Sequence, residues 1–204
     1  MPEHAQRAVS PLDGAIAAGL HGRSDGPAGV VVTEMRSAGL ASITARNDRR
    51  SALIAAVRAA YGVELPATPR HVLGHGMAFI WSGPDQWFAH AEHAPAAGME
   101  ATLAECVRDL ASIVDQSHGR VVLRVTGPHV RAALAKGLAI DLHPRSFQTG
   151  HAAATTIAHV GVHLWQRDEA PTYEFAVSRS LALSFWHWLA SSSAEFGLEF
   201  VASR

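Results

Sequence analysis

Apolar residues recur along the chain with two periods, every second position in some segments and every third or fourth in others. The β-branched runs at 29–35 and 39–45 predict a pair of strands. The following segment places four apolar residues on one helical face: Leu53, Ile54, Val57 and Tyr61. Asn47 or Asp48 can cap the start of this predicted helix, and Gly62 can end it.

The same alternation continues to the end of the chain. Residues 77–91 predict two strands around the turn Ser-Gly-Pro-Asp at 82–85, and residues 97–111 predict a helix. In the second half, the predicted strands are 112–116, 120–127, 152–160, 161–167, 172–178 and 197–203, and the predicted helices are 128–137 and 178–196.

This order of elements predicts an α+β fold of ferredoxin-like β/α units, in which antiparallel or mixed sheets pack against helices. Residues 1–28 show no sustained period and are interpreted as an N-terminal arm or linker. Residues 29–204 form the predicted domain. This domain could consist of two intertwined halves, 29–111 and 112–204.

The composition of the chain excludes some classes of function. The 204 residues carry a net charge of -1, so a nucleic-acid partner is not expected. Charged residues make up 17%, which favours either association with partners or a large core under a polar uncharged surface. Cys106 is the single cysteine, and neither a secretion signal nor a membrane span is evident, so we expect a cytoplasmic protein.

Thirteen histidines raise the question of a metal site. The candidate pairs are His71 and His75, His90 and His93, and His159 and His163. None has the helical spacing of a zinc peptidase, so we expect surface or hydrogen-bonded histidines that titrate near about 6.5 and no bound metal. The chain also lacks a Gly-x-Ser-x-Gly elbow, a dinucleotide fingerprint and a phosphate loop, so no catalytic or cofactor-binding residue is expected.

Five further residues are functional candidates. Asp115 and His118 could form an acid-base pair, although a turn with Gly119 at positive φ is favoured. Cys106 is expected to be a buried, inert thiol. Of Trp186 and Trp188, one is expected to face the core beside Leu181, Phe185 and Leu189, and the other to face a partner.

Several segments together resemble the gamma subunit of heterotetrameric sarcosine oxidase. They are WSGPDQWF at 81–88, the long stretch 113–166 with its DLHPRSF turn, and PTYEFAVSRSLALSFWHWL at 171–189. The resemblance covers most of residues 29–195. The segment DQSHGRVVLRVTGPHV at 115–130 is also similar to the folate-binding aminomethyltransferase of the glycine cleavage system, which implies an aminomethyltransferase-like fold.

The resemblance implies a complex that demethylates sarcosine oxidatively to glycine, producing hydrogen peroxide and either formaldehyde or 5,10-methylene-tetrahydrofolate. It implies alpha, beta and delta subunits as partners, with FAD, covalent FMN, NAD and zinc held by those subunits and none by this chain. The chain itself would be a structural subunit without catalytic residues. The alternatives are a folate-binding aminomethyl-transfer enzyme, for which Asp115 is the candidate carboxylate, and a subunit of an oxidase or dehydrogenase for another N-methyl amino acid.

The DLHPRSF segment at 141–147 is interpreted as a structural turn. Leu142, Pro144 and Phe147 are expected to place apolar groups under the turn. Asp141 is expected to accept hydrogen bonds from nearby backbone amides, and Arg145 to bridge a carboxylate of this chain or of a neighbour.

Overall fold

A computed structural model describes residues 10–95 and 97–201 of the chain. Within these ranges, two β-sheets lie face to face, and helices cover the outer face of each sheet. The order of layers is therefore helices, sheet, sheet, helices. This architecture confirms the predicted α+β class with antiparallel and mixed sheets packed against helices.

The larger sheet, sheet A, has seven strands. In spatial order they are β1 (Gly19–His21), β12 (Leu198–Val201), β2 (Val30–Glu34), β8 (Arg120–Thr126), β11 (Thr172–Ser178), β10 (Val160–Asp168) and β9 (Ala152–Ile157). Strands β12 and β2 run parallel, whereas the other neighbouring pairs are antiparallel, so the sheet is mixed.

The smaller sheet, sheet B, has five antiparallel strands. In spatial order they are β4 (His71–Leu73), β5 (Ala78–Gly83), β6 (Gln86–Ala91), β3 (Gly39–Ala45) and β7 (Ala111–Asp115). Strands β5 and β6 form the hairpin predicted around residues 82–85.

Two helices cover each sheet. They are α1 (Arg50–Tyr61) and α2 (Met99–Val107) on sheet B, and α3 (Val130–Leu134) and α4 (Ala182–Ser193) on sheet A, with 3-10 turns at Arg179–Leu181 and Ala194–Phe196. Because side chains alternate across a strand, each sheet contributes to two cores. On β11, for example, Phe175 faces the helices of sheet A and Ala176 faces sheet B.

Between the sheets lies a third apolar core, the inter-sheet core. Its buried members are Leu40, Ala78, Ile80, Phe88, Val122, Ala152, Trp165 and Ala176. These side chains hold sheet A and sheet B together, so the two sheets form one packed body.

The prediction that residues 29–35 and 39–45 pair is wrong. Strand β2 lies in sheet A between β12 and β8, whereas β3 lies in sheet B between β6 and β7. The few residues between them carry the chain from one sheet to the other, and alternation alone does not specify which partner a strand takes.

Two smaller differences concern helix ends. Helix α1 begins at Arg50, and neither Asn47 nor Asp48 caps it with a side-chain hydrogen bond; the predicted end is confirmed, because Gly62 adopts the left-handed conformation with φ of 74°. Helix α3 is short, spanning Val130–Leu134 rather than 128–137.

Part of the predicted N-terminal arm contributes to the domain. Leu12 is buried in the core under sheet A, the Ser10 hydroxyl donates to Glu34 at 2.5 Å, and β1 pairs with β12. Residues 1–9 and 202–204 of the predicted arm and domain lie outside the described residues. Among the described residues, no helix combines the length and apolar character that crossing a bilayer requires.

Candidate functional site

A cleft of about 690 Å³ opens between the two sheets, beside the inter-sheet core. Strands β4, β5 and β6 form one wall, and β10 and β11 form the other. We call it the inter-sheet cleft, and its principal lining residues are His71, Ala78, His90, Trp165, Arg167 and Glu174. A cavity of this size, with an apolar wall and a few convergent polar groups, is typical of a small-molecule site.

Glu174 and its neighbours form the polar floor of the cleft. Glu174 on β11 is directly opposite Arg124 on β8 and Trp165 on β10, so all three side chains share one row and one face of sheet A. Glu174 Oε1 accepts from Arg124 Nε at 2.9 Å and Nη2 at 2.6 Å, and Oε2 accepts from Trp165 Nε1 at 2.8 Å. Pairing between adjacent strands therefore positions this group.

Two more side chains complete what we call the Arg–Glu cluster, comprising Glu92, Arg124, Arg167 and Glu174. Arg167, further along β10, donates from Nη1 to Glu174 Oε1 at 3.0 Å. Glu92 follows the end of β6 in sheet B, and its Oε1 accepts from Arg124 Nη2 at 2.9 Å and from Arg167 Nη1. The cluster is an ionic link between the two sheets.

Burial and charge act in opposite directions on the two carboxylates. Burial raises the pKa of Glu174, but the positive charges facing it, of His90 when protonated and of Arg167 and Arg124, lower this pKa by more. The hydrogen bond from Arg167 is the main reason that the pKa of Glu92 also lies below its ordinary value. Both glutamates are therefore ionised near neutral pH and balance the two arginines.

The histidines of the cleft depart from the sequence-based prediction. His71 lies on β4 rather than in a loop, and burial lowers its pKa to about 4. His90 is 3% exposed, and burial lowers its pKa as well. His71 Nδ1 and His90 Nε2 are buried and have no hydrogen-bond partner within the described ranges. These are neutral buried imidazoles, not surface histidines titrating near their reference value.

His163 also lies between the sheets. Its Nε2 is 3.1 Å from the Ser82 hydroxyl, and its ring packs edge-on against Phe88. Burial lowers the pKa of His163 to about 4. The other member of that candidate pair, His159, is exposed in the turn before β10, with φ of 68°. Within residues 10–95 and 97–201, no three His, Cys, Asp or Glu side chains form a group that could hold a metal ion.

Asp115 and His118 do not form a pair in the structure. Asp115 is exposed at the end of β7, and its Oδ1 accepts from the Ser117 backbone N–H at 2.8 Å. The turn closes through Gln116, whose carbonyl accepts from the N–H groups of Gly119 and Arg120. Gly119 is not among the residues with positive φ, so that detail of the predicted turn is wrong.

Cys106 is partly buried on α2, beside the core of sheet B. Its thiol donates to the Leu103 carbonyl at 3.4 Å. Burial raises the pKa of Cys106, and this direction disfavours the reactive thiolate.

The two tryptophans of α4 differ in burial. Trp186 is 4% exposed and packs edge-on against Phe200, whereas Trp188 is partly buried and lies against the same core. Leu181 is 39% exposed, so its predicted place in the core is wrong. Of the two indole rings, that of Trp188 is therefore the more exposed.

The DLHPRSF segment forms a turn. Asp141 accepts from the His143 backbone N–H at 2.8 Å and from the Ser146 hydroxyl at 2.7 Å. The Ser146 hydroxyl, with the His143 N–H, lowers the pKa of Asp141. Leu142 and Phe147 are buried as predicted, but Pro144 is exposed, since the turn directs it outward. Arg145 is also exposed, and the described residues give it no ion pair.

Sequence reasoning missed the Arg–Glu cluster because its members come from four places in the chain. A signal was present in the strands themselves, since Arg124 and Glu174 each interrupt an apolar run. A charged residue inside a buried strand needs a partner of opposite charge, and this requirement could have indicated the pair.

The chain is similar to known sarcosine oxidase gamma subunits. Residues 46–195 match the model of the sarcosine oxidase, gamma subunit family. The chain is 34% identical over 150 residues to sarcosine oxidase subunit gamma of Corynebacterium sp. (strain U-96), covering 72% of each chain. It is also 34% identical over 155 residues to the same subunit of Arthrobacter sp., covering 72% of this chain and 73% of the relative.

Solved structures are consistent with these sequence matches. A chain of the heterotetrameric sarcosine oxidase from Corynebacterium sp. U-96, in complex with pyrrole 2-carboxylate, superposes with a TM-score of 0.73 at 30% identity, covering 86% of this chain and 88% of that one. The glycine cleavage system aminomethyltransferase T from Bartonella henselae gives a TM-score of 0.61 at 14% identity, covering 85% of this chain and 48% of that one. The second likeness shows a shared fold.

Proposed function

The chain belongs to the sarcosine oxidase gamma subunit family, and from this membership we propose that it is a non-catalytic assembly subunit of a heterotetrameric sarcosine oxidase. The observation that carries the proposal is the match of nearly the whole fold, 86% of this chain and 88% of the other, to one chain of such an enzyme. Near-complete coverage of both chains supports an equivalent place in an equivalent complex.

In this proposal, the complex demethylates sarcosine oxidatively to glycine in the cytoplasm and forms hydrogen peroxide with formaldehyde or 5,10-methylene-tetrahydrofolate. The partners are alpha, beta and delta subunits, which hold FAD, covalent FMN, NAD and zinc. The two arginines and two glutamates of the inter-sheet cleft neutralise one another, so their arrangement in this chain suits a structural link between the sheets.

Co-expression with the products of neighbouring reading frames tests this assignment. We expect the chain to co-elute with the other subunits on size-exclusion chromatography, and its omission to lower the stability or activity of the remaining complex. A chain that elutes alone, beside partners that keep full activity and stability without it, would contradict the proposal.

A folate-dependent aminomethyl transferase remains the alternative of another class. It would need a carboxylate held over the folate amine, yet Asp115 is engaged with the Ser117 backbone and exposed at a strand end. Calorimetric titration with tetrahydrofolate separates the two, because an assembly subunit alone requires no tight binding. An oxidase for another N-methyl amino acid differs in its substrate-binding partner, so substrate profiling of the assembled complex distinguishes it.

A further inference from the structure

The two glutamates of the Arg–Glu cluster are held very differently. The Glu174 side chain is 1% exposed, whereas the Glu92 side chain is 45% exposed at the end of the cleft. Glu174 also accepts from Trp165, so its two oxygens are engaged by three side chains. Within the described residues, the Glu92 side chain accepts hydrogen bonds only from Arg124 and Arg167. Glu174 is therefore fixed in the structure, while Glu92 can be exchanged.

The charge of the cleft depends on Glu92. Two arginines, Arg124 and Arg167, face two glutamates. When Glu92 leaves the arginines, one positive charge therefore remains in excess at the mouth of the cleft. The Arg124 and Arg167 side chains are 26% and 28% exposed, so an anion placed between them is partly shielded from water. Charge-assisted hydrogen bonds to paired guanidinium groups are strong and favour a carboxylate.

The rest of the cleft offers surfaces to an aromatic body. Leu73, 66% exposed, lines the mouth of the cleft, whereas the buried side chains of Trp165 and Ala78 close its inner end. His71 and His90 add two neutral imidazoles whose unpartnered nitrogens lack a hydrogen bond. Unsatisfied polar atoms beside a cavity are a recognised sign of a missing water or ligand.

We propose that the inter-sheet cleft binds a small aromatic carboxylate, which displaces the Glu92 carboxylate from Arg124 and Arg167 and places its ring against Leu73 at the mouth of the cleft. In this arrangement Glu92 is an internal competitor that occupies the arginine pair when no ligand is bound. The inference does not depend on the assembly role, since it concerns only residues of this chain.

Isothermal titration calorimetry of the full-length chain with benzoate and with benzamide tests the proposal. The two probes share size and ring and differ in charge. We expect benzoate to bind at least about tenfold more tightly than benzamide, because benzamide cannot replace a carboxylate between two arginines. Removing the competitor by Glu92→Gln is expected to tighten benzoate binding by about threefold or more and to leave benzamide unchanged.

Matched variants make the result specific. Glu64→Gln removes an exposed carboxylate outside the cleft and should leave benzoate affinity unaltered. Arg167→Gln should weaken benzoate binding at least about tenfold, with circular dichroism used to check the fold. Should Arg167→Gln fail to fold, the Glu92→Gln titration still decides, since its side chain is largely exposed.

Three results would overturn the proposal. They are benzoate and benzamide binding equally or not at all, a Glu92→Gln affinity no higher than that of Glu64→Gln, and an Arg167→Gln variant that folds and retains full benzoate affinity. None of these bears on assembly, which co-elution measures separately.

Discussion

Glu174 stays ionised inside the protein because three side chains donate to its two oxygens. A buried charge without partners is strongly unfavourable, and removing one member of a buried pair leaves the others uncompensated. Three donors with good geometry thus replace the hydration that the carboxylate loses.

Replacing this carboxylate should destabilise the fold. We expect Glu174→Gln to lower the free energy of unfolding by about 3 to 5 kcal/mol, because Arg124 and Arg167 lose their buried counter-charge. Urea denaturation followed by circular dichroism measures the change, with Glu64→Gln as the exposed control. If both variants unfold at the same urea concentration, the cluster contributes no net stability.

The residues that sequence reasoning located correctly are those whose role is local. Asp141 and the residues after it form a turn within a few positions, and Gly62 ends a helix by its own backbone conformation. His71, His90 and Glu174 acquire their environment from strands distant in the chain. The spacing of His71 and His90 therefore carries no trace of the cleft, and the pKa values of these residues could not be anticipated.

At the scale of elements, α4 packs with two tryptophans of unequal burial. Trp186 contacts His21 and Phe200, which lie on β1 and β12, so this ring joins the helix to one edge of sheet A. Trp188 lies near Phe185 and close to Gly137, and it is only partly buried.

Alanine substitutions should separate these two roles. Trp186→Ala is expected to lower the free energy of unfolding by about 3 to 5 kcal/mol, whereas Trp188→Ala should cost less and should weaken co-elution with partner subunits. Thermal melts of the isolated chain and size-exclusion chromatography of the complex measure the two effects. Equal losses of stability, or two silent variants, would contradict this division.

The link between β8 and α3 depends on Gly127. Its φ is 114°, and a Cβ at this position would lie 2.5 Å from the Gly29 carbonyl oxygen. We expect Gly127→Ala to lower the free energy of unfolding by about 2 kcal/mol or more, because both the conformation and the contact oppose a side chain.

Gly161 on β10 is the matched control for this substitution. A Cβ there meets nothing within 4 Å. Gly161→Ala should therefore change stability by less than about 0.5 kcal/mol in the same urea titration. Similar losses for both glycines would show that the close approach at Gly127 is unimportant.

Most strands and helices could be predicted from periodicity, but their partners could not. The turn at 82–85 specifies its own hairpin, since two strands joined by two residues can only pair with each other. Strands β2 and β3 are equally close in sequence, yet they belong to opposite sheets. Both have apolar residues suited to either sheet, so only the complete fold determines their assignment.

At the scale of the whole molecule, the packing of sheet A on sheet B buries three histidines and lowers the pKa of each. The pKa values of His71 and His163 are about 4, against 6.5 ordinarily, and that of His90 is also lowered. In the unfolded chain these groups bind protons below about 6.5. Between the two values the unfolded state therefore binds more protons than the folded state does.

Stability should consequently rise with pH across this window. As pH falls from 6.5 towards 4, we expect the free energy of unfolding to decrease, with each such histidine adding a slope approaching about 1.4 kcal/mol per pH unit. Urea denaturation at several pH values measures this slope. His163→Gln should make it shallower, and His118→Gln, at an exposed position, should not; a flat profile would contradict the buried neutral state.

Strand β12 lies between β1 and β2, although residues 198–201 follow those strands by well over a hundred positions. During synthesis, β1 therefore has no neighbour in sheet A until residue 201 has left the ribosome. Until then, β2 presents an open edge that can capture other strands. The order of pairing thus makes completion of sheet A a late event, and the edge of β2 stays open until residues 198–201 have been made.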